Sequence, residues 1–443
     1  MKKYLIYTML ALTVFTACKK SNTVATQDLP EVRVAATLSA YSKTLTGSSN
    51  GWKAFLYPYG GGVYLFSMKF GTNNRVTMLS DINATTSSTP AESSYLIRQQ
   101  QAPSLLFDTY NYIHLLADPD PSVNGGLAGE GAYSDFEFYI DNVKGDTVNL
   151  IGNRLGSKMM LVKAASASDF TTFTTGTNDF IGKFSQLRTY FKRVTIGGVD
   201  CEVKLDIANK ILTFSYLDAS GNLAKVSGQF FVDGTNSSLV FVKPFTIGTV
   251  LVSSIKSFAI DATNHVFSCT INGTGYSIRE AITPLKLDLT AAQRWYNQMA
   301  INSNGTWTST TAFHYGVDDY CGFKNITGYS SLWYAGPVVF GGTSEGLIAF
   351  VNSALSSPYA LSKVPFTVNA GIARFTLLTN AGTFTAATNQ AIAMTSARNL
   401  LYGGAVVGNF QDWYLIQTDA GGINYDMVRA TDAQVWISWK PRS

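Results

Sequence analysis

The chain has 443 residues, with 33 Lys plus Arg against 29 Asp plus Glu, 14% charged and 13% aromatic. A formal net charge of +4 spread this thinly provides no basic face for nucleic acid, and the length predicts two or three domains, each with its own core. Plentiful Tyr, Phe, Gly, Ser, Thr and Asn favour strands and turns over helices.

Lys2 and Lys3 precede the uncharged apolar stretch from Tyr4 to Phe15, which is too short to span a bilayer as a helix. Residues 1–17 are therefore predicted to be a removed export signal. Phe15, Thr16 and Ala17 precede Cys18 as an apolar residue and two small ones precede the acylated cysteine of a bacterial lipobox. Cys18 is the predicted lipidation site, because several acyl chains on one residue give the lasting attachment that a single chain does not. Residues 18–30 read as a polar tether. No later stretch approaches about 18 consecutive apolar residues, so the lipid is the expected link to the membrane. Cys201, Cys269 and Cys321 show no CxxC spacing. Their odd number leaves at least one thiol unpaired, and small buried hydrophobes is their expected role.

From Pro30 to Leu45, Val34, Leu38, Tyr41 and Leu45 fall at helical spacing, with Gly47 as a stop. "GWKAFLYPYGGGVYLFSMKFGTNNRVTMLSD" then predicts three strands, parted by Gly60–Gly62 and by Gly71–Asn74. Strand-like runs follow at "SYLIR", "SLLFDTYNYIHLL", "DFEFYID", "TVNLIG" and "MMLVKA". The Ser/Thr-rich "ASASDFTTFTTGTNDF" reads as a link. A second meander begins near Cys201, with about ten residues per strand and polar turns, as in an antiparallel sandwich or barrel. A third section opens at Pro284–Leu285, with a helix from about Thr290 to Ala300 and further strands through Trp439. The fold expected is mainly β, in antiparallel meanders of sandwich or barrel type, calycin-like barrels among them, with a few helices. The divisions are 31–165, 166–285 and 286–443, the last α+β. "SSNGWKAF" and "NSNGTWTS" each follow a helix and precede a strand. That echo reads either as a duplicated domain or as one helix-stop device used twice.

Five constellations could carry chemistry. The mature chain has His114, His265 and His314 and no HExxH, which removes the helical zinc pair of most metallopeptidases. On a strand His114 and Asp118 would share a face roughly 13 Å apart, too far for one metal, so a hydrogen-bonded histidine is expected. Gly342-x-Ser344-x-Gly346 has the nucleophile-elbow pattern between a strand-like "PVVF" and a helix-like "EGLIAFVNSAL". All three histidines precede Ser344, however, so a helix N-cap with Glu345 in the first turn is the better expectation. In "SDFEFYID", Asp135 and Glu137 would share a wet strand face about 6.6 Å apart, with Phe136, Phe138 and Ile140 on the core side. Such a separation also suits a glycosidase pair. Asp118, Asp120, Ser122 and Asn124 alternate ahead of Glu130 and could offer oxygens to calcium, the one cofactor the sequence suggests; Val123 stands where an EF-hand has its glycine. In "AQVWISWK", Val435, Ile437 and Trp439 share one face, so Trp436 takes the other and is a candidate ligand platform.

At "NGWKAFLYP", "NRVTMLSD", "LLFDTYNYIHLLADP", "SDFEFYI" and "LIGNRLGSK" the chain resembles a family of uncharacterised Bacteroidetes lipoproteins defined by a domain of unknown function. The resemblance is clearest from about Asn50 to Lys158. It departs at Ser134-Asp135, where the family tends to Gly-Asp, and at Gly152-Asn153-Arg154, where it tends to a Gly-Lys-Lys-like turn. Members are often encoded beside SusC/SusD-type import pairs and zinc metallohydrolase-like lipoproteins. The resemblance implies an envelope role near nutrient uptake and brings no activity with it. In such bacteria an acidic patch after the acylated cysteine directs lipoproteins to the cell surface; Lys19 and Lys20 there lean toward the periplasmic leaflet of the outer membrane. The expected function is a non-enzymatic accessory or ligand-binding component of an uptake system for glycan or peptide, with a SusC/SusD-type importer as partner. A hydrolase with an unrecognised carboxylate site and a structural envelope scaffold are the alternatives.

Overall fold

The computed structural model describes residues 29–442 apart from 125, 127, 302–304, 353, 380–387 and 420–422. Cys18, the predicted export signal and Ser303-Asn304 of the second echo thus lie outside the described residues. The chain divides into two compact units. One holds residues up to Gly61 with Phe66–Leu79 and Thr89–Phe170; the other holds Gly62–Leu65, Ser80–Ser88 and the chain from Thr171 onward.

The meanders are barrels. Helix α1 (Pro30–Thr46) starts with Pro at its first position and Glu31 in its first turn, and ends where Gly47 N–H bonds Lys43 O. Strands β1 (Trp52–Tyr57), β2 (Tyr64–Phe70), β3 (Arg75–Ser80), β4 (Ala91–Gln99), β5 (Pro103–Phe107), β6 (Glu137–Lys144), β7 (Thr147–Gly152) and β8 (Lys158–Lys163) follow in order round a closed barrel. Pairing of β1 with β8, Trp52 opposite Lys163 through Tyr57 opposite Lys158, closes the cylinder and leaves no free edge. Period-two alternation sends Trp52, Ala54 and Leu56 inward. Asn74, at φ 60°, turns the chain between β2 and β3, a conformation asparagine tolerates better than most residues. Between β3 and β4 lies the short helix α2 (Ala84–Ser88). The expected strand at "SLLFDTYNYIHLL" ends at Phe107. Beyond it come two short helices, α3 (Tyr112–Leu115) and α4 (Pro121–Asn124), in the long crossing to β6.

The Ser/Thr-rich segment read as a link is helical instead, as α5 (Ala167–Thr172), a 3₁₀ turn (Phe173–Thr175) and α6 (Gly176–Phe184). The reason is packing. Phe180 lies 5.6 Å from Phe230, 5.4 Å from Phe258 and 5.8 Å from Phe267, all edge-on, and Phe184 follows one turn later into the same core. That core belongs to a second closed barrel, β9 (Phe191–Ile196), β10 (Val199–Asp206), β11 (Ile211–Leu217), β12 (Leu223–Asp233), β13 (Ser238–Ile247), β14 (Val250–Asp261), β15 (Val266–Ile271) and β16 (Thr274–Ala281). It begins one strand before the expected start at Cys201, because β9 pairs with both β10 and β16. Cys201 and Cys269 are buried in it as free thiols, pushed up to about 11 and about 12 by burial, as Cys321 is to about 12 in the C-terminal core.

The C-terminal section adds α7 (Ala291–Ile301), α8 (Asn389–Tyr402) and strands β17 (Thr306–Ser309), β18 (His314–Tyr315), β19 (Tyr329–Ala335), β20 (Glu345–Val351), β21 (Ala354–Ser362), β22 (Phe366–Asn369), β23 (Ile372–Thr376), β24 (Phe410–Gln417), β25 (Tyr425–Arg429) and β26 (Val435–Pro441). The sheet order is β21-β20-β19-β17-β26-β25-β24-β23-β22, with β18 on β26. Consecutive strands β21 and β22 stand at opposite ends of that order. The three residues between them can bridge only about 14 Å, so the sheet curls until its two edges approach. Side chains stitch the gap: Glu345, fully buried on β20, accepts Phe366 N–H at 3.1 Å and the Tyr296 O–H at 2.9 Å.

Glu345 overturns both readings of the Ser344 motif. "PVVF" is a 3₁₀ turn and Glu345 opens a strand, so there is neither an elbow nor a helix to cap. Burial raises the Glu345 carboxyl above its ordinary value. The folded state thus holds the proton to higher pH than the unfolded chain, and this contribution, full below the ordinary carboxylate range, is lost as pH rises through the folded value. Glu345→Gln should therefore flatten the melting temperature against pH above that range. A variant and wild type with parallel profiles would refute the assignment.

Three tryptophans bind helix to strand in one way. Trp52 donates its indole N–H to Leu45 O of α1 at 2.8 Å, Trp307 to Trp295 O of α7 at 3.1 Å, and Trp413 to Leu401 O of α8 at 3.1 Å. Each is a buried donor satisfied by a helix carbonyl; those of Leu45 and Leu401 lie in the last turn, where carbonyls have no intrahelical partner, and that of Trp295 lies in mid-helix.

Candidate functional site

A cleft of about 440 Å³ opens in the first unit, between the β5–β6 crossing and the β7–β8 turn. Its floor depends on Asp135, which is 4% exposed. Oδ1 accepts the N–H of Arg154 at 3.0 Å and of Leu155 at 2.9 Å; Oδ2 accepts that of Ser157 at 3.0 Å. Gly152 is required for this close approach, since a Cβ there would stand 2.1 Å from Asp135 Oδ2. The turn is thus wrapped round one carboxylate, with Asn153 N–H on Glu137 O at 2.9 Å.

The pattern in "SDFEFYID" comes out differently from the expectation. Phe138 and Ile140 are buried as expected, but β6 starts only at Glu137, so strand alternation does not reach Asp135 or Phe136. Asp135 turns inward and Phe136 is 38% exposed in the cleft wall. With three amides on its two oxygens, Asp135 is committed to structure and does not form a working pair with Glu137.

Phe136 is backed by aromatic rings. His114 lies 4.7 Å from it and stacks at 5.5 Å on Tyr110. His114 sits on α3 rather than on a strand: Nδ1 accepts Asn111 N–H at 3.1 Å, so Nε2 carries the proton donated to Phe107 O at 3.0 Å. Burial lowers the value of this imidazole and keeps it neutral. The hydrogen-bonded histidine expected from sequence is what the fold contains. Tyr110 donates its O–H to Asp118 Oδ2 at 2.6 Å, which together with burial pushes the phenol up to about 12.

Three of the five oxygen-bearing residues considered for calcium bind amides of their own turns. Asp118 Oδ1 accepts Asp120 N–H, Asp120 Oδ1 accepts Ser122 N–H, and Asn124 Oδ1 accepts Gly126 N–H, at 2.9, 2.8 and 2.7 Å. Glu130 stands apart, exposed on the cleft rim. Among the described residues no three His, Cys, Asp or Glu side chains gather to hold a metal. Trp436 does lie opposite the core-facing Val435, Ile437 and Trp439, but it is covered: His314 stacks on it at 3.7 Å and Tyr190 meets it edge-on at 5.6 Å. Sequence reading missed Arg154 and Asn153, which only the register of β6 against β7, Phe138 opposite Gly152, brings beside Glu137.

A model of the family described as "Domain of unknown function (DUF4302)" matches residues 26–259, more than half of the chain. The chain belongs to the DUF4302 family. The matched stretch takes in the whole first barrel, the cleft and much of the second barrel. No functionally curated protein matches this DUF4302 chain. Among solved structures it is similar to an octameric penicillin-binding protein homologue from Pyrococcus abyssi at 10% identity and TM-score 0.15, over 32% of this chain and 33% of that one. It therefore spans about a third of that protein. It is also similar to the Helicobacter pylori beta clamp bound to a DNA ligase peptide, at 8% identity and TM-score 0.14, over 92% and 98%. A transferrin binding protein B mutant from Haemophilus parasuis matches at 9% and 0.18, over 86% and 66%. With TM-scores so low, none of these carries an argument about this DUF4302 protein.

Proposed function

We propose that this DUF4302 protein is a non-enzymatic, ligand-binding lipoprotein of a Bacteroidetes outer membrane, serving a SusC/SusD-type uptake system for glycan or short peptide. The observation that carries the reading is the cleft: an exposed aromatic ring, Phe136, flanked by the polar side chains of Glu130, Glu137, Asn153 and Arg154. The commitment of Asp135 to three backbone amides favours binding over carboxylate-pair hydrolysis. A lipobox-like Cys18 followed by Lys19-Lys20 supports an anchor in the periplasmic leaflet.

Calorimetric titration with oligosaccharides and short peptides tests the reading. Phe136→Ala should weaken the ligand found by about tenfold through loss of ring contact, and leave the melting temperature within about 2 °C because the ring is partly in water. Equal affinity for variant and wild type would remove the cleft from consideration. Membrane partition of a Cys18→Ala variant tests the anchor: the protein should move to the soluble fraction.

A further inference from the structure

We infer that the cleft beside Phe136 selects a sugar carrying a free primary amine, a hexosamine unit rather than its N-acetylated or neutral counterpart. This rests on the ligand-binding reading above and narrows it. The lining holds three carboxylates, Glu130, Asp135 and Glu137, against one guanidinium, Arg154, a local excess of negative charge in a chain whose formal net charge is +4. Asp135 is spent on backbone amides, but among the described residues neither the Glu130 nor the Glu137 carboxylate is in an ion pair, and that of Glu137 meets Gln100 Nε2 at 3.4 Å. An ammonium group supplies the charge those two oxygens lack.

The aromatic wall points independently to the same chemistry. The face of an aromatic ring such as Phe136 is electron-rich, and it attracts cations and the polarised C–H face of a sugar alike. His114 behind Phe136 would cancel that attraction if it were charged; its Nδ1 accepts a backbone N–H and its burial disfavours the cation, so it stays neutral. Arg154 and Asn153 speak for a sugar rather than a simple amine. Asn153 already donates its Nδ2 to Gln100 Oε1 at 2.8 Å, and Arg154 offers only donors, so the pair can answer the mixed donors and acceptors of ring hydroxyls.

The test is calorimetric titration of the full mature protein with three β-1,4 disaccharides, of glucosamine, of N-acetylglucosamine and of glucose, and with lysine amide. The glucosamine disaccharide should bind at least about tenfold more tightly than either of the other sugars and than lysine amide. Glu130→Gln/Glu137→Gln, with its melting temperature checked against wild type, should abolish that preference, bringing the three disaccharides within about twofold of one another; a preference that survives would overturn the inference. Equal binding of the three disaccharides, all weakened by Phe136→Ala, would overturn the inference and leave the binding reading intact. Lysine amide binding as tightly as the amino sugar would overturn the sugar assignment. Failure of every sugar and peptide to bind would overturn the binding reading itself.

Discussion

Asp81→Ala is expected to destabilise the second unit by about 3–5 kcal/mol, the range for removing one partner of a buried ion pair. Asp81 is 1% exposed and its side chain is saturated: Oδ1 accepts Leu65 N–H at 2.8 Å, while Oδ2 accepts the Thr177 hydroxyl at 2.9 Å and the Lys210 ammonium at 2.6 Å. Lys210, 7% exposed, also donates to Val63 O at 3.2 Å and lies 4.7 Å over the Tyr64 ring. With Asp81 gone, an ammonium remains in a site built for a pair. Its desolvation is then uncompensated, and this accounts for the size of the effect. A double variant, Asp81→Leu with Lys210→Met, should recover most of the loss, because the attraction within such a pair only roughly repays its dehydration. Urea unfolding monitored by tryptophan fluorescence measures both. A loss below about 1 kcal/mol for Asp81→Ala, or no recovery in the double variant, would show that the pair does not hold this region together.

Asp135→Ala should cost about 3 kcal/mol and abolish binding in the cleft as well. The carboxylate satisfies three amides at once, and bonds to a charged acceptor contribute about 1.5–3 kcal/mol apiece before the exposed ones regain water. Asp135→Asn keeps the shape but sets two amide hydrogens where an oxygen accepted, so it should recover less than half. The decisive signature is the pairing of the two losses. A variant that binds ligand with wild-type affinity would mean that the β7–β8 turn holds its shape without Asp135, and that the cleft does not depend on it. Gly152→Ala should mimic the stability loss from the other side, because its Cβ would collide with the same oxygen.

Much of the fold could be read from the chain alone. Hairpin chemistry at Gly71–Asn74 and strict alternation in "WKAFLY" fixed β1 to β3, since a strand with one wet face writes its burial into every second residue. Other elements were hidden. Phe180 and Phe184 lie one helical turn apart, yet the surrounding Thr, Ser and Asn carry turn propensity; only the aromatic core of the second barrel makes the helix worth forming. Likewise "EGLIAFV" reads as helix-like in isolation and is a strand, because a continuous apolar run has no period that tells the two apart. Pairing with β19 and β21 on both sides settled it as a strand.

The site divides along the same line. Asp135, Glu137 and Glu130 could be named as chemistry-bearing residues from their neighbours in the chain, but that Asp135 turns inward and Phe136, read as a core residue, faces the cleft could not, because that depends on where β6 begins. By itself the sequence determined that this is a mainly antiparallel β protein in which at least one thiol is unpaired, properties that follow from local pattern and residue count. Only tertiary structure decided that the meanders close into barrels, that Asp135 is a buttress and Phe136 a wall, and that Arg154 shares their cleft. Closure and register join residues distant in the chain, and no local propensity encodes the energy of such contacts.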